Sequence, residues 1–288
     1  IACDGIHSPI RSQFIHDMPI YSGRIAYRGL IPLEKLPSPW PFPTYSILWV
    51  GPGKHIVIYA INKHLLNFVG VVSKDENETR AFRESWNMTC DRKEVETEFS
   101  DFDDIVHKII ALLPEKPSKW LLNDRDPIMD WTFLDGKVVL LGDSAHPVLP
   151  HQSAGAGQAI ESAYVIAKVV TEYLDRRAQG KASPNLQRWT RLYQDIRQPR
   201  TQYIQKSSRE TGLYYHLQIP EMEGKSIDQN LHLVARRMET CLERIWLEDI
   251  DVGYENAREK MLLEEVTKLK FWKGRTICGH SSDLCRIL

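Results

Sequence analysis

A loop rich in small residues carries the strongest chemical signal in this chain. It reads Gly142-Asp143-Ser144-Ala145-His146-Pro147, then Pro150-His151-Gln152-Ser153-Ala154-Gly155-Ala156-Gly157-Gln158-Ala159-Ile160-Glu161. Before it lies a short apolar run, Lys137-Val138-Val139-Leu140-Leu141, which reads as a strand buried on both faces. After it, residues 156–174 keep Ala159, Ala163, Ile166, Ala167, Val170 and Leu174 at helical spacing. Small residues at a helix start let a ligand approach the backbone closely. The exposed amides there, together with the helix dipole, favour negative charge. Asp143, just after the strand, suits a ribose hydroxyl. This chemistry is that of an anionic or nucleotide-like ligand at a helix N-terminus. A tightly packed helix start would call for the same small residues, and the loop alone leaves both readings open.

A second set of candidates lies on a strand. In His55-Ile56-Val57-Ile58-Tyr59-Ala60-Ile61, alternation puts His55, Val57, Tyr59 and Ile61 on one face. His55 and Tyr59 are then roughly 13 Å apart at ~3.3 Å per residue, enough to contact opposite ends of a substituted aromatic ring. The plainer alternative makes both half-buried sheet residues satisfied by neighbours. Arg28 is a third candidate, although an Arg near a strand end is usually solvated or ion-paired. Asp143, Ser144 and His146 contain the letters of a hydrolytic triad, but a triad needs groups converging from separate elements. No G-x-S-x-G elbow accompanies them. Cys278, His280 and Cys285 fit no zinc-ligand spacing.

Positioning these groups falls to two kinds of element. Residues 24–31, 45–50, 55–61 and 65–72 are strand-like and closely joined, which predicts an antiparallel sheet. Helices are expected over 79–86 and 102–113, and again beyond Arg176, with a break near Ile219-Pro220. Trp120, Trp131 and Trp189 read as packing residues. The 288 residues suffice for one large or two ordinary domains. Lys and Arg total 37 against 38 Asp and Glu, a balance that argues against nucleic-acid or membrane-surface partners. No apolar run approaches the ~20 residues that span a bilayer. Five scattered cysteines without a Cys-x-x-Cys pair predict no disulfide framework and a reducing, cytoplasmic setting. Ile1-Ala2-Cys3-Asp4-Gly5 looks like the end of a buried strand running into a Gly turn, so residue 1 reads as a cut.

Two motifs in order then suggest a family. Residues 142–147 with 154–161 resemble the Gly-Asp motif of the group A flavoprotein monooxygenases. Ala2-Cys3-Asp4-Gly5-Ile6-His7-Ser8-Pro9-Ile10-Arg11 resembles that family's Asp-Gly motif, which ends in Ser-x-x-Arg. Between them, Tyr27-Arg28-Gly29 and residues 53–55 through 67–69 look like the salicylate hydroxylase branch. The resemblance covers nearly residues 1–175. It implies a mixed α/β (α+β) fold like that of p-hydroxybenzoate hydroxylase. Such a fold has part of a Rossmann-like FAD-binding domain, an inserted antiparallel β-sheet substrate domain and a C-terminal helical region. The expected division is 1–20 and 119–175 for FAD, 21–118 for the substrate sheet and 176–288 for the helices.

The resemblance also implies chemistry. FAD is the expected cofactor and NADH or NADPH the co-substrate. A flavin C4a-hydroperoxide would hydroxylate a small phenolic, salicylate-like ring with O2, and a homodimer is an open assembly. By motif, Asp143 would bind the ribitol–ribose region and Pro147 would lie beside the isoalloxazine. The amides of Gly155, Ala156 and Gly157 would face the flavin N1–C2 carbonyl edge. Asp4 and Arg11 would serve the pyrophosphate and the transient nicotinamide cofactor. His55 would act as base toward the phenol, with Tyr59 orienting it and Arg28 also binding substrate. Three departures stand out. Cys3 replaces the usual Ala, and Ser162 replaces the usual Asp, which predicts a lost capping or packing contact. The G-x-G-x-x-G fingerprint, with an acidic residue ~20 positions on, is absent from the chain. The rival expectation is therefore a truncated, non-catalytic paralogue or a fragment unable to bind FAD.

Overall fold

The computed structural model describes residues 1–75, 88–180 and 185–277, with side chains to residue 264. The helix expected over 79–86 and the Cys278, His280, Cys285 set lie outside the described residues. Short polar turns close apolar, β-branched runs into hairpins. At the turn after Ile61, the Asn62 carboxamide oxygen accepts from the amides of His64 (2.8 Å) and Leu65 (3.0 Å). Strands β1 (Ile20–Pro32), β2 (Ile47–Gly51), β3 (Lys54–Ala60), β4 (Leu65–Ser73) and β5 (Ser118–Asp124) form one antiparallel sheet in the order β2-β3-β4-β1-β5. Because β5 pairs with β1, the sheet runs on to Asp124, past the boundary expected at residue 118. The alternation in β5 is irregular, which hid it.

One face of the sheet is fully covered. Ile25, Tyr27, Ile31, Ile56, Ile58, Leu66 and Phe68 pack there against Val95, Phe99, Val106, Ile109, Ile110 and Leu113. The last group comes from helices α1 (Arg92–Glu98) and α2 (Asp104–Ile110) and the residues beside them. Buried side chains of this size each contribute roughly 1.5–3 kcal/mol by leaving water. The Asp91 carboxylate caps α1 by accepting from the Lys93 amide.

A second core joins the remaining elements. Ala2 pairs in parallel with Leu140, next to the short hairpin of β6 (Thr132–Phe133) and β7 (Val138–Val139). Helix α3 (Gly155–Ala178) lays Val165, Ile166 and Val169 against Trp131, Leu140, Trp189, Leu192 and Tyr193. The last three stand on α4 (Leu186–Tyr215), whose far end reaches the open face of the sheet. Helices α5 (Ile227–Thr240), α6 (Glu243–Leu247) and α7 (Ile250–Ile277) follow, and Tyr254 and Met261 of α7 complete this core. Among the described residues no helix is long and apolar enough to cross a membrane.

Candidate functional site

Period-2 alternation and strand register together place the polar candidates on the sheet's other face. Val57 pairs with Val69, and Val69 with Arg28, so the three lie in one row across β3, β4 and β1. The neighbouring rows hold His55 beside Val71 and Tyr59 beside Asn67. Arg28, His55 and Tyr59 therefore share a face, as expected for the two strand residues. They differ in surroundings. His55 is buried, whereas Tyr59 and Arg28 stand at the exposed end. Arg28 Nε donates to Asn67 Oδ1 at 2.7 Å, and the buried Nδ2 of Asn67 has no partner among the described residues.

The small-residue loop covers the buried end of this face. Leu149 packs on Ala26, Val71 and Leu122. His151 lies 5.6 Å, ring centre to ring centre, from His55. From the other side Tyr215 approaches to 5.2 Å and His216 to 4.9 Å. Burial pushes the His55 imidazole well below its ordinary pKa, and the proximity of His216, His151 and Arg24 pushes it further. Burial likewise lowers His151 to about 3 and His216 to about 2. All three rings are therefore neutral near pH 7. Neither His151 nor His216 was singled out from sequence. They lie 96 and 161 positions from His55, and no local pattern links them.

Close helix approach makes this cluster. A Cβ on Gly212 of α4 would stand 2.6 Å from His151 Cδ2 and 2.7 Å from an Arg24 guanidinium nitrogen. Gly212→Val is expected to displace the His151 ring and destabilise the fold by about 1–3 kcal/mol, the usual cost of overpacking. Denaturant unfolding and histidine proton shifts would check this. Unchanged shifts in the cluster would show that α4 yields freely.

The turn into α3 presents unsatisfied backbone. Ser153 adopts a left-handed conformation (φ 52°), and Ala154 at the helix N-cap supplies no side-chain cap. The first turn holds no acidic residue, so its amides and the positive end of the dipole are unopposed. No atom lies within 4 Å of the position a Cβ on Gly157 would take. Asp143 is exposed and has no hydrogen-bond partner among the described residues. The surrounding protein desolvates it, raising its carboxyl above the usual range. Pro147 is buried, its carbonyl accepting from Gln205 Nε2 at 2.8 Å.

Neighbouring polar groups serve structure. The Ser144 hydroxyl donates to the carbonyls of Ala2 and Leu141, and His146 Nε2 meets Ser162 Oγ at 2.9 Å. Ser144 and His146 thus point to different partners, and no hydrolytic triad forms. Ser162 Oγ also accepts from Arg197 Nε at 3.2 Å. Arg11 lies inside the protein. It is fully buried, ion-paired to Asp17 and donating to the Ser144 carbonyl. It acts as a clamp between the N-terminal segment and the loop. Asp4 is exposed, and its carboxylate accepts from Ser8 Oγ (2.7 Å) and the Ile10 amide (3.3 Å).

Known proteins resemble this chain over most of its length. Residues 1–206 match the model of a family described as FAD binding domain. A 3-amino-4-hydroxybenzoate 2-monooxygenase of Streptomyces platensis is 34% identical over 218 residues, covering 75% of this chain and 51% of that protein. A salicylate hydroxylase of Pseudomonas putida is 28% identical over 279 residues, covering 91% and 61%. A solved salicylate hydroxylase substrate complex superposes with a TM-score of 0.72 at 25% identity, covering 88% of this chain and 62% of that one. The chain thus spans between half and two thirds of the length of these relatives.

Proposed function

The chain belongs to the FAD binding domain family, and from that premise we propose that it carries the substrate face and part of the FAD site of an aromatic hydroxylase. The reaction would use NADH or NADPH and O2 to hydroxylate a small phenolic, salicylate-like ring. One observation carries this reading. His151, in the loop that leads into α3, lies 5.6 Å ring to ring from His55 on the sheet, which supports a site built between the start of α3 and the polar sheet face.

The residues present fit the flavin end of FAD. Asp143 has a carboxylate without a partner among the described residues to accept a hydroxyl, Pro147 lies in the loop between them, and the amides of Gly155, Ala156 and Gly157 offer positive potential to an electron-rich ring edge. When bound, FAD supplies the redox chemistry and the activation of oxygen. The chain's own work is positioning. His55 takes the phenolic proton, which raises the ring's nucleophilicity. Tyr59 and Arg28 orient the substituents from the open end of the same face. Leu149, Val57 and Val69 line the apolar part and limit water. Asp4 is the remaining candidate for the cofactor's phosphate side.

Two measurements test this. The polypeptide mixed with FAD and separated from free flavin is expected to keep the visible flavin band, and then to consume reductant and release hydroxylated product with salicylate. Absence of the band, persisting when a dinucleotide-binding segment is joined upstream, would favour the non-catalytic alternative. Asp143→Ala is expected to weaken flavin retention by about ten- to a hundred-fold, the equivalent of one hydrogen bond to a charged group. Equal retention in a fluorescence titration would remove Asp143 from the site.

A further inference from the structure

The histidine cluster continues from His55 through His216 to Ser73. His55 Nδ1 lies 2.8 Å from His216 Nε2, and His216 Nδ1 lies 2.8 Å from Ser73 Oγ. Ser73 lines an open cleft together with Ser22, Gly23, Arg24, Leu213 and Gln218. The Ser22 hydroxyl in that wall is buried and has no hydrogen-bond partner among the described residues. Backbone contacts fix the middle of the chain. The Gly53 amide donates to the His216 carbonyl at 2.9 Å, and the Ser73 amide donates to the Gly53 carbonyl at 2.8 Å. A left-handed turn at Gly53 (φ 71°) makes both possible.

A base enclosed in this way has a physical difficulty. Once protonated, His55 would hold a cation in a low-dielectric setting beside Arg24 on β1, with His151 of the loop and Tyr215 of α4 as its other polar neighbours. An unpaired buried charge is costly, so a proton arriving at His55 needs somewhere to go. Among the described residues, His216 is the ring hydrogen-bonded to His55 itself.

We propose that His216 and Ser73 form a relay that carries the proton taken up by His55 out to the cleft. The proposal rests on the reading of His55 as the base toward a phenol. The phenol O–H breaks as His55 Nε2 gains the proton. His55 Nδ1 passes its own proton to His216 Nε2, His216 Nδ1 passes one to Ser73 Oγ, and the Ser73 hydroxyl releases one to solvent in the cleft. One proton moves from phenol to water, and no electrons are transferred. Lys74 and Asp75 line the same cleft where the proton emerges. His216 and Ser73 are positioning residues for this step, since neither touches the ring.

The test uses the FAD-loaded holoenzyme, rapidly mixed with salicylate in a weakly buffered solution containing a pH indicator. Unsubstituted protein is expected to release a proton on binding. His216→Gln can hold a hydrogen bond at each end but cannot take a proton at one and give it up at the other. It is expected to slow proton release at least about ten-fold, the low end of what a proton-transfer group contributes. Salicylate affinity should be unchanged, and added imidazole should restore the rate. Ser73→Ala, a milder change, is expected to slow release several-fold with the same rescue, and it decides the matter if His216→Gln misfolds. Release as fast as in the unsubstituted protein in either folded variant would overturn the relay. A slowing that imidazole cannot rescue would overturn it too, pointing to a structural effect. His55→Gln serves as the separate control. If it too releases the proton normally, the assignment of the base fails, and the relay fails with it.

Discussion

His55→Gln is expected to lower the rate of ring hydroxylation by about 10²–10⁴-fold, the usual contribution of a positioned general base. Glutamine keeps much of the imidazole's volume and can still hydrogen-bond His216, so the buried end of the sheet face should survive. The effect should concentrate in kcat, with flavin retention and salicylate affinity nearly unchanged, since the proton is needed in the reaction step and not for binding. Burial and the neighbouring imidazoles keep His55 neutral well below its ordinary titration range, so the unsubstituted enzyme should not lose its base as pH falls from 7 toward 6. Product formation measured against reductant consumption gives the decisive ratio. A variant that hydroxylates within about three-fold of the parent would sink the assignment, since that is far below the general-base contribution.

The largest expected loss of stability comes from Glu161→Gln. Glu161 accepts from Arg197 at 2.6 Å and from Arg200 at 2.8 Å, and Arg197 is wholly enclosed between α3 and α4. Glutamine can still accept a hydrogen bond, but Arg197 then has no charged partner among the described residues, Gln158 and Ser162 being neutral. Breaking one side of a buried ion pair costs about 3–5 kcal/mol, because the other charge stays buried without compensation. Arg200 retains Glu248 and two backbone carbonyls, so the loss centres on Arg197. The pH dependence follows from the sign of the shift. Burial alone would raise the Glu161 pKa, but hydrogen bonds and charge from Arg200 and Arg197 outweigh it and hold the group below its ordinary value. A depressed folded-state pKa means the stabilisation is complete above the unfolded value, about 4.3, and fades as pH falls through the folded one. Denaturant midpoints of parent and variant should therefore differ most near neutral pH and converge in acid. A difference that stays constant down to pH 3 would show that Glu161 acts through packing and not through charge.

Much of the site was legible because its signals are local. Strand alternation follows from backbone geometry alone, so His55, Val57 and Tyr59 could be assigned to one face from their spacing. Strands β3 and β4 and the helix after the loop were recovered to within a few residues, each being apolar, periodic and bounded by turn residues. The run of Ser153, Ala154, Gly155, Ala156 and Gly157 announced an uncapped helix start because none of these side chains competes for the first-turn amides as placed. The sheet's fifth strand was missed, since its side chains alternate poorly and its partner lies about a hundred residues earlier.

What the sequence determined by itself is therefore the chemistry on offer: a polar strand face, a small-residue loop and an acidic residue beside it. Which of those groups stay available was decided only by tertiary structure. Arg11 looks like a ligand for phosphate in sequence, yet Asp17 and the Ser144 carbonyl, reached through the Ala2–Leu140 pairing, enclose it completely. Ser162 carries no local signal of a partner, yet α4 brings Arg197 to its hydroxyl. His151 and His216 carry no local pattern, and they become neighbours of His55 because Gly212 lets α4 close on the loop. Spacing along the chain fixes which residues share an element. Only the packing of elements distant in sequence fixes which polar groups find partners in the interior and which remain free to act.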